Sequence, residues 1–267
     1  MKVVVCIKQV PGTLDIGIDR ETGLLIRDQA PAVMNPFDAY AVEESLRIAE
    51  QTGGQVTALT MGPPAALEVL HEAMSMGVRE SVHICDGAFR GSDTFATAKI
   101  LAAAIQKIGG ADLIFCGKQA IDGDTAQVGP EIAELLGLPH VAYVKKIREI
   151  KERSIILERM VEIGVEVIEV RLPAMLTVLK DINTPRMPSF KLKRQAKSRE
   201  VPVWGIADLG LKETEVGLAG SPTTVMRTFT AEPRGGCEML CGSCDEMVAA
   251  LMARLKAGGV LGRTGNA

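Results

Sequence analysis

Apolar positions along the first half of the chain alternate between two rhythms. Lys2-Val3-Val4-Val5-Cys6-Ile7 is a nearly unbroken apolar run that stops at Lys8. Such a run predicts a strand buried on both faces over 2–7. Residues 37–52 carry Ala41, Leu46, Ile48 and Ala49 on one stripe and predict a helix. The same two rhythms recur as a strand over 55–61, a helix over 64–76 opened by Pro63-Pro64, and a strand over 81–85. A helix over 93–108, a strand over 112–116 and a helix over 127–137 follow. Strands that alternate with helices predict a parallel sheet covered on both faces. Right-handed crossovers then make it doubly wound.

Near residue 140 the rhythm changes. Segments 141–150, 154–161, 164–171 and 174–179 predict strands joined by short turns, with strict alternation in Val165-Glu166-Val167-Ile168-Glu169-Val170-Arg171. They predict an antiparallel addition to the sheet. After Lys180 regular pattern is lost. Residues 181–203 combine prolines with a basic cluster, and 204–243 are rich in Gly, Pro and Thr before a last predicted helix over 244–257. A long irregular segment does not belong inside a compact domain. The predicted division is a nucleotide-binding α/β domain over 1–180 and, over 181–267, an arm that packs on another chain.

Composition narrows the function classes. Apolar residues are 47% of 267 and aromatics only 3%, so the core is aliphatic. A net charge of −3 with interspersed signs argues against a nucleic-acid surface. The local exception is Lys191, Lys193, Arg194, Lys197 and Arg199, which reads equally as a solvated face. No segment approaches the ~20 apolar residues of a membrane span. The expected location is cytoplasmic, with the six cysteines reduced.

Four turns fall at predicted strand ends, where open α/β sheets bind ligands. The longest is Gly117-Lys118-Gln119-Ala120-Ile121-Asp122-Gly123-Asp124-Thr125-Ala126-Gln127-Val128, between the apolar run 113–116 and a helix. A helix start offers unpaired N–H groups and a positive dipole end to a phosphate. Gly117 and Gly123 let backbone approach closely. Thr125 and Gln127 donate without adding charge. Asp122 and Asp124 would repel a phosphate, so they are expected to cap the helix, hold the loop or meet ribose hydroxyls. An ordinary capped turn explains the same letters. Val33-Met34-Asn35-Pro36-Phe37-Asp38 opens the second element, with Asn35 or Asp38 as a cap. Thr60-Met61-Gly62-Pro63-Pro64 and Cys6-Ile7-Lys8-Gln9-Val10 complete the set.

Familiar catalytic signatures are missing. The chain has no G-x-G-x-x-G, no P-loop, no G-x-S-x-G and no H-E-x-x-H. His71, His83 and His140 are scattered and read as structural. Cys237, Cys241 and Cys244 have C-x₃-C-x₂-C spacing, which could hold three corners of an iron–sulfur cluster. No fourth ligand is evident, and incidental thiols explain them as well.

Taken in order, these segments resemble the β subunit of electron-transfer flavoproteins. The opening Val5-Cys6-Ile7-Lys8-Gln9-Val10-Pro11 carries the resemblance, with Asn35-Pro36-Phe37-Asp38, Ala41-Val42-Glu43-Glu44 and Thr60-Met61-Gly62-Pro63. So do the stretch 117–128, Asn183-Thr184-Pro185-Arg186 and Gly220-Ser221-Pro222-Thr223. The resemblance implies a Rossmann-like adenine-nucleotide fold and a partner α subunit that binds a redox-cycling FAD. It implies nucleotide contacts at Cys6, Asn35 to Asp38, Met61 and Gly117 to Val128. It also implies a docking loop for partner dehydrogenases after Asn183, with Phe190 as its apolar anchor.

Family members hold either AMP or a second FAD in this site. Asp122-Gly123-Asp124-Thr125-Ala126-Gln127-Val128 resembles the FAD-holding branch, which splits electron pairs. The expected donor is then NADH. The expected recipients are the α-subunit FAD, a flavin dehydrogenase of the acyl-CoA type and a low-potential acceptor such as ferredoxin or flavodoxin. A simple carrier with structural AMP, an adenine-nucleotide sensor module without redox work, and an iron–sulfur enzyme remain the competing readings.

Overall fold

The computed structural model describes residues 1–12, 32–226, 237 and 239–260. The apolar run at the start forms β1 (Lys2–Cys6). Val3 and Val5 face one apolar layer while Val4 and Cys6 face the other, so both faces of the strand are buried. That explains why the run does not alternate. A two-stranded ribbon unforeseen from the pattern follows, β2 (Gln9–Pro11) against β3 (Ala32–Met34). Then come α1 (Pro36–Thr52), β4 (Gln55–Met61), α2 (Leu67–Met76), β5 (Glu80–Ile84), α3 (Thr94–Ile108), β6 (Leu113–Gly117) and α4 (Val128–Leu136). The predicted stripe of α1 is buried at Ala41, Leu46, Ile48 and Ala49. Side chains of α1 and α2 pack in one layer with Val3 and Val5; those of α3 and α4 pack in the other with Val4 and Cys6.

The second half supplies β7 (His140–Ile150), β8 (Ser154–Val161), β9 (Gly164–Arg171) and β10 (Ala174–Val178). After them come α5 (Phe190–Lys197), β11 (Val203–Trp204), α6 (Ile206–Leu209) and α7 (Cys244–Ala257). Among the described residues the main sheet has nine strands in the order β11-β5-β4-β1-β6-β10-β7-β8-β9. Neighbours are parallel from β11 through β7, and only the β7-β8 and β8-β9 pairs are antiparallel. The Rossmann-like α/β class expected from the sequence is therefore the class observed.

Two expectations need correction. Segment 174–179 was grouped with the antiparallel addition, yet β10 lies parallel between β6 and β7. All five of its residues are buried, the signature of an interior parallel strand. Segment 181–203 was expected to be irregular, yet it holds α5 and the edge strand β11. No side chain caps α5, and α5 and β11 are shorter than the windows in which periodicity is readable. Contacts made far away in sequence hold them. Leu192 and Ala196 turn inward, the Ser189 N–H donates to Ser75 O at 2.9 Å, and Arg199 Nη1 donates to Arg79 O at 2.7 Å.

The compact unit runs over Met1–Thr228, and Phe229–Ala267 forms a second unit that contains α7. The expected boundary at residue 180 falls inside the first unit. In that unit Arg186 binds Glu43 and Glu50 on α1, and Asn183 Nδ2 binds Glu44 Oε2 at 2.9 Å.

Candidate functional site

The chain runs from β1 outward to β4 and β5, then returns to place β6 on the other side of β1. The sheet therefore has its switch point between β1 and β6, and crevices open at the carboxyl ends of such strands. A cavity of about 370 Å³ lies there. Cys6, Ile7 and Lys8 line it from the end of β1, and Cys116 and Gly117 from the end of β6. Met61 enters from the end of β4, and Ser92, Asp93, Thr94 and Thr97 from the start of α3.

Most of the expected nucleotide contacts meet in this cavity. Cys6, Asn35, Asp38, Met61, Gly117, Lys118, Gln119, Ala120, Gly123, Thr125, Ala126, Gln127 and Val128 line it. Pro36, Phe37, Ile121, Asp122 and Asp124 do not line it. Ser92, Asp93, Thr94 and Thr97 were not foreseen. Their signal was the Asp93-Thr94 cap ahead of an apolar helix, which reads as ordinary helix punctuation. Asp93 caps α3 through the Ala96 N–H at 3.0 Å and also receives the N–H and hydroxyl of Thr223 at 2.9 and 2.8 Å. The Gly220–Thr223 segment is thereby tied to the rim of the cavity.

Asn35 and Asp38 do not act as caps. The Asn35 side chain has no capping hydrogen bond. It donates to Gln119 O at 2.9 Å and accepts the Ile121 N–H at 3.2 Å, pinning the long loop. Asp38 accepts the Lys8 N–H at 2.7 Å and the Gly117 N–H at 3.1 Å. Burial pushes its carboxyl up to about 7, although Asn35, the two N–H donors and the Lys8 charge pull it down. Gly117 is glycine because a Cβ there would lie 2.6 Å from Phe37 Cβ and would also meet Asp38 Oδ1. Its small size serves the protein's own packing. Gly123 instead faces open space on the cavity side. Gly62 likewise serves packing, since a Cβ there would lie 2.8 Å from Ala66 Cβ.

The acidic residues of the loop are turned aside. Asp122 is paired with Lys8 Nζ at 2.7 Å, and Asp124 receives Gln119 Nε2. Asp124 and Ala126 both take left-handed backbone, at φ 55° and 56°. Such conformations are uncommon for residues with a Cβ and concentrate at binding loops. The loop then enters α4, whose N-terminus has no side-chain cap. Val128 and Gly129 open that helix and line the cavity, and the first N–H groups of a helix have no intrahelical partner. The floor is soft. Cys6 and Cys116 face each other across β1 and β6, and the hydrogen bond to Cys6, with burial, holds the Cys116 thiol well above its ordinary range.

The electron transfer flavoprotein domain family matches residues 22–209. An electron transfer flavoprotein subunit beta of Thermoanaerobacterium thermosaccharolyticum is 46% identical over 256 residues, which is 96% of this chain and 98% of that protein. This chain belongs to the electron-transfer flavoprotein β-subunit family. A caffeyl-CoA reductase-Etf complex subunit, CarD, of Acetobacterium woodii is 44% identical over 96% of this chain and 98% of its own length. Protein FixA of Azorhizobium caulinodans is 44% identical over 88% of this chain and 86% of its own length.

As a β subunit of an electron-transfer flavoprotein, the chain carries electrons and pairs with an α subunit. Among the described residues no helix is long and apolar enough to cross a membrane. Phe190 at the start of α5 and Met187 ahead of it stand 87% and 88% exposed. Cys237, Cys241 and Cys244 are exposed free thiols, and among the described residues no three His, Cys, Asp or Glu side chains are grouped to hold a metal ion.

Proposed function

We propose that the cavity holds FAD, with phosphate oxygens on the open N-terminus of α4. In this reading the β subunit takes electrons from NADH and passes them to the α-subunit FAD and to a low-potential acceptor such as ferredoxin or flavodoxin. The observation that carries it is the uncapped start of α4 opening into the cavity while Asp122 and Asp124 are held by Lys8 and Gln119. Free N–H groups suit an anion, and of the carboxylates nearby Asp93 already accepts from Ala96 and Thr223 and Glu131 from Thr94. Met61, Cys6 and Cys116 give an apolar floor for a flat ring.

Hydride acceptance and the onward transfer of single electrons are chemistry that bound flavin supplies. The chain's own residues bind and orient. Asn35 fixes the loop, Asp38 holds the ends of β1 and β6 together, and Lys8 neutralises Asp122. No side chain is required as nucleophile or general acid. CarD, by its name, belongs to a complex with a CoA-thioester reductase, which supports a flavin dehydrogenase of the acyl-CoA type as partner. We place the docking contact at Phe190 and the α-subunit contact on the second unit. There Val248, Leu251 and Met252 form an exposed apolar stripe on α7.

The second reading is a carrier with structural AMP in the same cavity, whose 370 Å³ lies toward the small end of ligand sites. Nucleotide released from the purified heterodimer by denaturation separates the two. A second FAD per complex and no AMP supports the FAD reading. AMP with a single FAD sinks it and leaves the carrier. No nucleotide beyond the α-subunit FAD removes both readings.

A further inference from the structure

Tyr143 is out of step with its strand. Between Leu176 and Val178, β10 advances two residues while β7 advances three, from Val141 to Val144. The extra residue lets Val141 and Val144 enter the same apolar layer, which strict alternation forbids. Tyr143 absorbs the difference at φ 61°, where a bulky side chain is an outlier. Its N–H is caught by Thr177 Oγ1 at 3.2 Å, and the residue remains 38% exposed. Bulges beside functional sites re-aim side chains. This one aims the ring at Lys118, whose Nζ lies 5.4 Å from the ring centroid.

Lys118 lines the cavity, as does Lys8. The two lysines differ in partner. Lys8 is neutralised by Asp122 at 2.7 Å, whereas Lys118 rests on an aromatic face. A cation on an exposed ring face is held weakly and stays available. A phosphate oxygen offers a stronger, charge-assisted hydrogen bond.

We propose that Lys118, parked on Tyr143 at the rim of the cavity, selects a ligand with a second phosphate, a nucleoside diphosphate or dinucleotide, over a nucleoside monophosphate. The inference rests on the nucleotide reading above and adds the residue that discriminates within it. The start of α4 serves one phosphate in either case. The second phosphate brings charge that backbone dipoles alone meet poorly, and of the two lysines that line the cavity Lys118 is the one not paired with a carboxylate among the described residues. Tyr143 is a positioning residue: it keeps the ammonium at the rim instead of in bulk water.

The test is a calorimetric titration of the nucleotide-stripped heterodimer with AMP and with ADP, which carries the diphosphate of a dinucleotide's adenylate half. The α subunit is the same throughout, so differences between variants belong to this chain. Wild type is expected to bind ADP on the order of tenfold more tightly than AMP. Lys118→Met should weaken ADP binding more than AMP binding and so remove that preference. Lys118→Arg should retain it, and Tyr143→Leu should weaken it. A Lys118→Met variant that loses AMP and ADP affinity equally, or keeps the wild-type ratio, overturns the proposal. Wild type that binds neither nucleotide overturns the underlying reading with it. Should Tyr143→Leu fold poorly, the Lys118 pair decides alone.

Discussion

The backbone N–H of Gly117 donates to Asp38 Oδ1 over 3.1 Å, so the end of β6 is tied to the first turn of α1. The other oxygen of the same carboxyl takes the Lys8 N–H at 2.7 Å, at the end of β1. One buried side chain thus joins the two strands that flank the switch point. The arrangement makes the cavity sensitive to protonation of Asp38.

Burial raises the Asp38 carboxyl from 3.8 to about 7 in the folded protein. Between these values the folded chain holds a proton that the unfolded chain has released. Stability contributed by this group therefore falls as pH rises through that window. Asp38→Asn is expected to flatten that part of the profile. Urea midpoints of wild type and variant at pH 5 and pH 8 check it. Parallel shifts of both proteins over that range would show that Asp38 is not the titrating group.

Gly117→Ala tests the packing beneath the loop. An added Cβ would lie 2.6 Å from Phe37 Cβ and would also meet Asp38 Oδ1. Overpacking of this kind costs about 1–3 kcal/mol. Because the clash breaks the tie to Asp38, nucleotide retention should fall together with stability. Gly123→Ala, which meets nothing within 4 Å, should spare stability. Thermal melts and nucleotide content of both variants make the comparison. Equal stability of the two would contradict the packing role assigned to Gly117.

What could be read from sequence follows from how local each signal is. The run Val3-Val4-Val5 and the stripe of α1 announce their elements because burial is written into successive residues. The loop 117–128 announced a strand-to-helix turn at the sheet's edge for the same reason. Asn35 and Asp38 were legible as residues but not in role. They read as helix caps, and the fold uses them to hold Gln119, Ile121, Lys8 and Gly117. Nothing in sequence order links Asp93 to Thr223, or Tyr143 to Lys118, because those contacts depend on strand order. The helix α5 was missed because its stability comes from α2 and not from its own letters.

Arg186 is the clamp that holds the segment before α5. Its Nε reaches Glu43 at 2.7 Å and its Nη1 reaches Glu50 at 2.6 Å. Burial works to raise the Glu43 carboxyl, but hydrogen bonds from Arg186 and Arg47 win and hold it below its ordinary value. A depressed carboxyl contributes stability that is present above its unfolded pKa and lost as pH falls through the folded one. Arg186→Met should therefore cost about 2 kcal/mol at neutral pH and less in acid. Denaturant melts at pH 7 and at pH 4 measure the difference. An unchanged midpoint at pH 7 would remove the clamp from the account.

Phe190 offers the cleanest separation of docking from folding. It opens α5 with its side chain 87% exposed, while Leu192 and Ala196 turn inward. Lys193, Arg194 and Lys197 lie three, four and seven residues on, so they share its helix face. An aromatic anchor ringed by positive charge suits an acidic rim around an apolar pocket on the dehydrogenase proposed above as partner. Phe190→Ala should leave stability within about 0.5 kcal/mol, because the ring packs little in the chain itself. It should raise the KM of the dehydrogenase for the heterodimer on the order of tenfold or more. Lys193→Gln with Lys197→Gln should instead lower the association rate and flatten its dependence on salt. Steady-state turnover against heterodimer concentration, repeated across ionic strength, reads both effects. A Phe190→Ala variant with unaltered KM would move the docking contact off this helix, whatever the charge variants do.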